Sequence, residues 1–313
     1  MTQRMQQRVG IIGVGAMGMA VARRLLDAGL AVSVRDVRDE AAREAAASGA
    51  VVCDSPAALA ARCEAIVTLV VDAEQTEQVV FGADGVAQAM QPGAVLIVSS
   101  TVAPAFAESV AARLSARGLL MLDAPCSGGP AKARNGQMSM MIAGHAKALE
   151  HATPLLEVMA ARRILLGERA GDGSRAKILN NMLAGVNLAA ACEAMALGIK
   201  LGFDPRVLIE VVSASSGASW VFDDRMPRVL AGDYAPRAAV DILRKDLAIV
   251  LDTAKRQNFP TPLARVAHTL YEDASRLGYG KEDDAALIKV YRALAGIELP
   301  GIEVPAAEPP AKA

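Results

Sequence analysis

The sequence predicts an α/β chain in two parts: a doubly wound, mostly parallel sheet over residues 1–168, then an all-helical domain over 169–302, with a long helix joining them. Two patterns carry this expectation. Short β-branched runs at 31–35, 65–71, 94–98, 119–123 and 138–143 alternate with helical stretches, as in parallel sheets built from strand–helix–strand units. After Gly173 such runs nearly disappear, and long helical periodicities occupy 176–201, 205–213, 240–257 and 261–277. The tail 303–313, rich in alanine and proline, is expected to be disordered.

The first element reads VGIIGVGAMGMAVARRLLDAG over 9–29, a β-rich run, three glycines at G-x-G-x-x-G spacing and an amphipathic helix. Gly13 permits the strand-to-helix turn, Gly15 lets the backbone approach a pyrophosphate, and Gly18 lets helix and strand pack closely. The phosphates then face the positive end of the helix, opened by Ala16 and Met17. This is a Rossmann-type nucleotide pocket. The second strand ends at Asp36, 18 residues beyond Gly18, near the spacing of about 20 for a ribose-binding acid. A carboxylate there favours NAD, because it accepts from ribose hydroxyls and repels a 2′-phosphate. Arg35 and Arg38 stand beside it as cations able to swing over such a phosphate, or as solvated loop residues.

Composition sets the outer limits. A chain of 313 residues makes about two domains. Lys and Arg number 33 against 34 Asp and Glu, and aromatic residues are 3%, which argues against a nucleic-acid partner. The start, MTQRMQQRVG, contains no apolar export segment. The apolar stretch 178–199 carries Asn180, Asn181, Asn187 and Glu193, so a buried helix is expected there and no membrane partner. Cys53, Cys63, Cys126 and Cys192 are too scattered for a zinc motif, no metal site is predicted, and a reduced cytoplasm fits.

Later strand ends carry the chemistry. Ser99, Ser100 and Thr101 follow VLIV where ligands of open α/β sheets bind, and contact with cofactor or substrate is the favoured reading, with helix capping by Thr101 ahead of Pro104 as the alternative. The segment DAPCSGGPAKA offers Ser127, Gly128 and Gly129, either a plain turn or successive N–H groups that grip a carboxylate. Cys126 reads as a small packed neighbour, and His145, His151 and His268 as surface or helix residues. In GDGSRAKILNN, Gly171 and Gly173 precede a helix with Lys177 and Asn181 on one face. A lysine early in so apolar a helix either snorkels or serves as a base, since helix dipole and desolvation both favour its neutral amine. Lys245 and Asp246 read, on their own, as a solvated helix pair.

Taken together, GVGAMG, SSTVAP, DAPCSGG, GSRAKILNN and the later Lys-Asp pair resemble the β-hydroxyacid dehydrogenases, relatives of 3-hydroxyisobutyrate dehydrogenase and tartronate semialdehyde reductase, over essentially the whole ordered chain. The resemblance implies that Thr101 lies at the cofactor and that Ser127, Gly128 and Gly129 bind the substrate carboxylate. It further implies that Lys177 is catalytic, that Asn181 assists the substrate and that Lys245 reaches the cofactor. Two departures stand out: Val98 where members often have an acid, and Cys126 where they usually have valine. The segment 216–252, with KEDDAALIKVY over 281–291, is most similar to members that oxidise the C2 hydroxyl of L-threonate with NAD, with Trp220, Asp224, Arg225 and Tyr234 as candidates for reading a polyhydroxylated acid or for simple helix packing.

Three rivals are weighed on the same residues. Imine reductases share the architecture but usually lack a lysine at position 177. Aldehyde-acid reductases generally prefer NADPH and carry Asn-Arg-Thr where this chain has Asp36. A non-catalytic NAD-sensing module has no need of Lys177 and Asn181. The family also forms dimers or tetramers, so a homo-oligomer acting on a small hydroxy acid is expected.

Overall fold

The computed structural model describes residues 8–299, so the tail expected to be disordered lies outside the described residues. The chain divides into two compact units, one up to Leu179 and one from Asn180 onward.

In the first unit the strands are β1 (Arg8–Ile12), β2 (Ala31–Arg35), β3 (Val51–Val52), β4 (Ala65–Thr68), β5 (Val95–Val98), β6 (Leu120–Asp123), β7 (Cys126–Ser127), β8 (Met138–Gly144) and β9 (Ala160–Leu165). The helices are α1 (Ala16–Asp27), α2 (Asp39–Ala47), α3 (Pro56–Ala60), α4 (Ala73–Phe81), α5 (Pro104–Ser115), α6 (Gly129–Arg134) and α7 (Ala146–Met159). The sheet runs β3-β2-β1-β4-β5-β6-β8-β7, with β9 on β8. From β3 to β6 all pairings are parallel; β8 turns antiparallel against β6. Central strands AIVT and VLIV are buried throughout, as expected when helices cover both faces. One face packs Ile11, Val67 and Ile97 with Val21, Leu25 and Leu155, and the other packs Ile66, Leu96 and Val98 with Leu59, Val80 and Val110. Truncating one such residue, as in Leu96→Ala, costs about 2–5 kcal/mol by lost transfer energy and a residual cavity. Because β1, β2, β4, β5 and β6 run parallel, their carboxyl ends share one edge, where Gly13, Asp36, Leu69, Ser99 and Ala124 emerge.

The run expected at 65–71 leaves the sheet at Thr68. Strands β3 and β9 escaped the pattern because β3 has two residues, both exposed, and β9 is a largely exposed strand reading AARRIL.

The helix α8 (Asp172–Lys200) begins four residues before the periodicity does, and the division between units falls inside it. Among the described residues it is the one helix long and apolar enough to cross a membrane. It buries Leu188, Cys192 and Met195 and carries the buried polar Lys177 and Asn181, the composition of a core helix. The second unit continues with α9 (Pro205–Ser213), α10 (Trp220–Ala231), α11 (Val240–Arg256), α12 (Pro262–Ala274), a 3-10 turn (Asp284–Lys289) and α13 (Val290–Ala295). Gly185 lets α8 approach Leu247 of α11, since a Cβ there would lie 3.0 Å from that side chain. The buried Tyr271 of α12 donates its hydroxyl to the Gly185 carbonyl at 3.3 Å. Helix α10 was not legible in the sequence, because Pro227 and four charged side chains interrupt its pattern. Ser219 caps its start by accepting from Phe222 N, Gly232 ends it in the left-handed conformation, and Phe222, Met226 and Val229 form its buried stripe.

Candidate active site

At the edge of the first unit's sheet, Gly13 turns at φ +91°, and a Cβ on Gly18 would stand 1.9 Å from the Gly13 carbonyl oxygen, so α1 abuts the strand as closely as backbone allows. Gly15 sits at the start of α1 with no side chain capping the helix. Ala16 is exposed and Met17 half-buried, so the first-turn N–H groups are left for an anion. Asp36 follows β2 and is 7% exposed. Its Oδ2 accepts from Val14 N at 2.8 Å and its Oδ1 from Arg38 N at 2.9 Å, tying the acid to the glycine turn. A capless helix start beside a buried carboxylate fits the pyrophosphate and adenosine ribose of NAD.

The hydroxyls after β5 separate by role. Ser99 Oγ donates to the Ala124 carbonyl at 3.0 Å and joins two strand ends. Ser100 Oγ and, on the neighbouring strand, Thr68 Oγ1 are buried with no hydrogen-bond partner among the described residues. Thr101 is half-buried, and it does not cap α5: that helix starts at Pro104 with Ala103 in the cap position.

Ser127 lies in β7 opposite Ser139 of β8, and the chain then turns through Gly128 at φ +125° and Gly129 at φ +74°. Side chains rarely adopt two successive positive φ values, which accounts for both glycines. The sequence reading missed the residue that fastens this region. Asp123, fully buried at the end of β6, accepts from Gly171 N at 2.9 Å, Ser174 N at 2.8 Å and Ser174 Oγ at 2.8 Å. The carboxylate thus holds the first turn of α8, where N–H groups lack helical partners. Desolvation pushes the Asp123 carboxyl up, against the Ser174 and Gly171 hydrogen bonds. Gly173 completes the clamp, since its Cβ would lie 2.5 Å from the Asp123 carbonyl oxygen and 2.7 Å from that of Met141.

Lys177, 8% exposed, follows Ser174 by three residues. Burial pushes the Cys126 thiol up, with the Lys177 charge acting the other way, so this buried cysteine reads as a packed, protonated thiol. Of the histidines, His145 caps α7, His151 approaches the Lys147 carbonyl, and His268 faces Glu272.

In the second unit Asn181, one turn beyond Lys177 on the same helix, is 7% exposed. Its Nδ2 donates to Asp246 Oδ2 at 2.6 Å, and its Oδ1 accepts from Asn180 at 3.0 Å. Lys245 Nζ donates to the other oxygen, Asp246 Oδ1, at 2.7 Å. Asp246 is 1% exposed, so the pair read as solvated is a buried carboxylate orienting an amide and a lysine. Arg225 bonds Asp284 at 2.5 Å and also Asp224, which fixes it between α10 and the 3-10 turn. Lys289 lies 4.0 Å from the Tyr234 ring centre, and the buried Tyr234 hydroxyl has no hydrogen-bond partner among the described residues.

Residues 8–167 match the family described as the NAD binding domain of 6-phosphogluconate dehydrogenase, and residues 171–291 match that of NADP-dependent 3-hydroxyisobutyrate dehydrogenase. An L-threonate dehydrogenase of Cupriavidus necator is 51% identical over 296 residues, covering 95% of this chain and 99% of the relative. Its Escherichia coli K12 counterpart is 46% identical over 93% of this chain and 96% of its own. Among solved structures, one titled 3-hydroxyisobutyrate dehydrogenase from Salmonella typhimurium superposes with a TM-score of 0.85 at 46% identity, covering 91% of this chain and 99% of that one.

Proposed function

Since the chain belongs to the 3-hydroxyisobutyrate dehydrogenase family and is an NAD-dependent enzyme acting on CH–OH groups, we propose that its substrate is L-threonate, oxidised at C2 to 2-dehydro-L-erythronate. The observation that carries the reading is the pairing of a diglycine turn with a buried lysine whose helix start is clamped by Asp123. The names of the relatives at 51% and 46% identity support L-threonate over 3-hydroxyisobutyrate.

Gly13, Gly15, Ala16, Met17, Gly18, Asp36, Thr101 and Lys245 are assigned to holding NAD, which supplies the hydride acceptor when bound. Ser127, Gly128 and Gly129 hold the substrate carboxylate through N–H groups and one hydroxyl. Lys177, as neutral amine, takes the proton of the reacting hydroxyl, and in the reverse direction its ammonium returns it. Asn181, fixed by Asp246, presents its amide to the substrate one helical turn away from the lysine. Asp123 positions Lys177 without touching the reacting atoms.

The enzyme is also proposed to form a homodimer or homotetramer in a reduced cytoplasm. Exposed Leu183, Leu197 and Leu201 at the α8 surface, with Val207 and Val211 on α9, supply an apolar surface for a second copy.

NADH formation from L-threonate, D-erythronate, D-glycerate and 3-hydroxyisobutyrate tests the substrate. L-Threonate is expected to give the highest kcat/KM, by about ten-fold or more, the margin a site that hydrogen-bonds its substrate's hydroxyls can supply. A higher value for 3-hydroxyisobutyrate, which has one hydroxyl where L-threonate has three, or for D-erythronate or D-glycerate, overturns the assignment.

A further inference from the structure

The turn through Gly128 and Gly129 is roofed by a lysine. A Cβ built on Gly128 would stand 3.1 Å from the Cβ of Lys132, 3.5 Å from its Cγ and 3.0 Å from its Cδ. With these carbons all so near one point, the stem lies against the glycine, folded back from α6 toward the turn. A helix imposes that direction, since its side chains lean toward the helix start and position i+4 covers position i. Gly128 therefore serves a second end besides its φ of +125°, because a side chain there would have to displace the Lys132 stem. The other cation at the end of α6, Arg134, is ion-paired with Asp27 of α1.

A carboxylate seated on this turn needs more than the turn itself offers. Its two oxygens can accept about four hydrogen bonds. Ser127 brings one hydroxyl, Gly128 and Gly129 one N–H each, and Pro130, next in line, has no N–H. These donors are all neutral. Lys177 cannot add the missing charge during oxidation, because it must be a neutral amine to take the substrate's proton. Lys132 is exposed, and its ammonium lies two bonds beyond a Cδ already placed against the turn. Resting on the carboxylate seat proposed above, we infer that Lys132 is a further substrate-binding residue: its ammonium closes over the bound carboxylate, neutralises it and donates the hydrogen bond that the turn lacks. The lysine moves neither proton nor hydride, so it strengthens ground state and transition state alike.

Steady-state kinetics of the full-length enzyme at saturating NAD+, with whichever of the four acids above is turned over best, test this without depending on which acid that is. Lys132→Met keeps an unbranched stem over Gly128 and removes the charge. It is expected to raise the KM for the acid about five- to ten-fold, the worth of one charge-assisted contact partly screened by solvent. Both kcat and the KM for NAD+ should stay within about two-fold of wild type, which also reports that the variant is folded. Lys132→Arg should recover most of the loss. Added salt should raise the wild-type KM more steeply than that of Lys132→Met. An unchanged KM in Lys132→Met, equal salt dependence in the two enzymes, or a fall in kcat as large as the rise in KM overturns the proposal. Ser127→Ala distinguishes its failure from that of the seat it rests on. If Ser127→Ala raises KM and Lys132→Met does not, the seat stands and the lysine is no part of it; if neither raises KM, both fall.

Discussion

In the first unit the buried carboxylates Asp36 and Asp123 are satisfied largely by main-chain N–H groups, whereas in the second unit Asp246 and Asp284 are satisfied by side chains, Asn181 with Lys245 and Arg225 respectively; Asp283, at the start of the 3-10 turn, is the exception there and accepts from Arg237 N at 3.0 Å and Ala285 N at 3.3 Å. The contrast follows from architecture. Strand ends and helix starts expose unpaired N–H groups that a carboxylate can collect, while the sides of packed helices offer none. A main-chain donor is held by the fold around it, so the first arrangement sets positions rigidly. A side-chain donor loses rotamer freedom to make its bond, so the second arrangement is more easily retuned.

The largest effect is expected where the rigid half ends in chemistry. Lys177→Ala should lower kcat by about 10² to 10⁴, the usual range for a general acid–base group, with NAD+ affinity retained. Turnover at the wild-type level would remove the lysine from the mechanism and leave the clamp with nothing to position.

Asp123→Asn probes the clamp itself. It should cost about 2–4 kcal/mol in urea unfolding, by loss of charge-assisted bonds to buried N–H groups. Because the helix start is then less firmly held, kcat should also fall, by about ten-fold or more, with KM little changed. Lost stability with wild-type kcat would show that the clamp holds the fold alone.

Asp246→Asn tests the softer half. An amide of the same size can still meet Asn181 but no longer holds Lys245 by charge, so a rise in KM of about three- to ten-fold is expected, with less stability lost than in Asp123→Asn. A larger loss than at Asp123 would reverse the ranking of the two halves.

A separate effect falls on pH dependence. Burial pushes the Asp284 carboxyl up to about 6 from its ordinary 3.8, despite the Arg225 bond that pulls it down. The folded protein thus keeps this proton over a range in which the unfolded chain releases it. The contribution of Asp284 to stability is therefore greatest below pH 3.8 and declines as pH rises to 6. The stability difference between wild type and Asp284→Asn should drift against wild type across that window, by about 2–3 kcal/mol at most, when unfolding midpoints are compared at each pH. A difference independent of pH would mean that the Arg225 bond offsets burial and the folded carboxyl titrates like the unfolded one, and a drift in favour of wild type would mean that Arg225 keeps it ionised.

The same contrast explains what was readable in the sequence. Recognition through main chain demands glycine at fixed spacing, so Gly13, Gly15 and Gly18 announced a nucleotide, while the diglycine after Ser127 read equally as a plain turn or as the carboxylate site proposed above. Asp36 stood at the spacing the nucleotide itself requires. Asp123 did not declare itself, because Gly171 and Ser174 lie 48 and 51 residues away and nothing periodic connects them. Asp246 lies 65 residues from Asn181 and sits in DILRKDLAIV, where the residue pattern is that of an ordinary helix surface. Helix α10 was hidden for a related reason: its charged side chains face other charged side chains inside the fold, and in one dimension they resemble a solvated loop.

Peptide N–H groups are common to every residue but proline, so the partners of Asp36 and Asp123 survive most point mutations of the residues that bear them. A proline, or a change at the two aspartates, at Ser174 or at glycines such as Gly18 and Gly173, removes or crowds these contacts. The second unit presents a far wider mutational target, where altering one arginine or asparagine breaks a contact outright. Under drift, a gene with this design would keep the main-chain clamps of its first unit while the side-chain contacts of its second unit change.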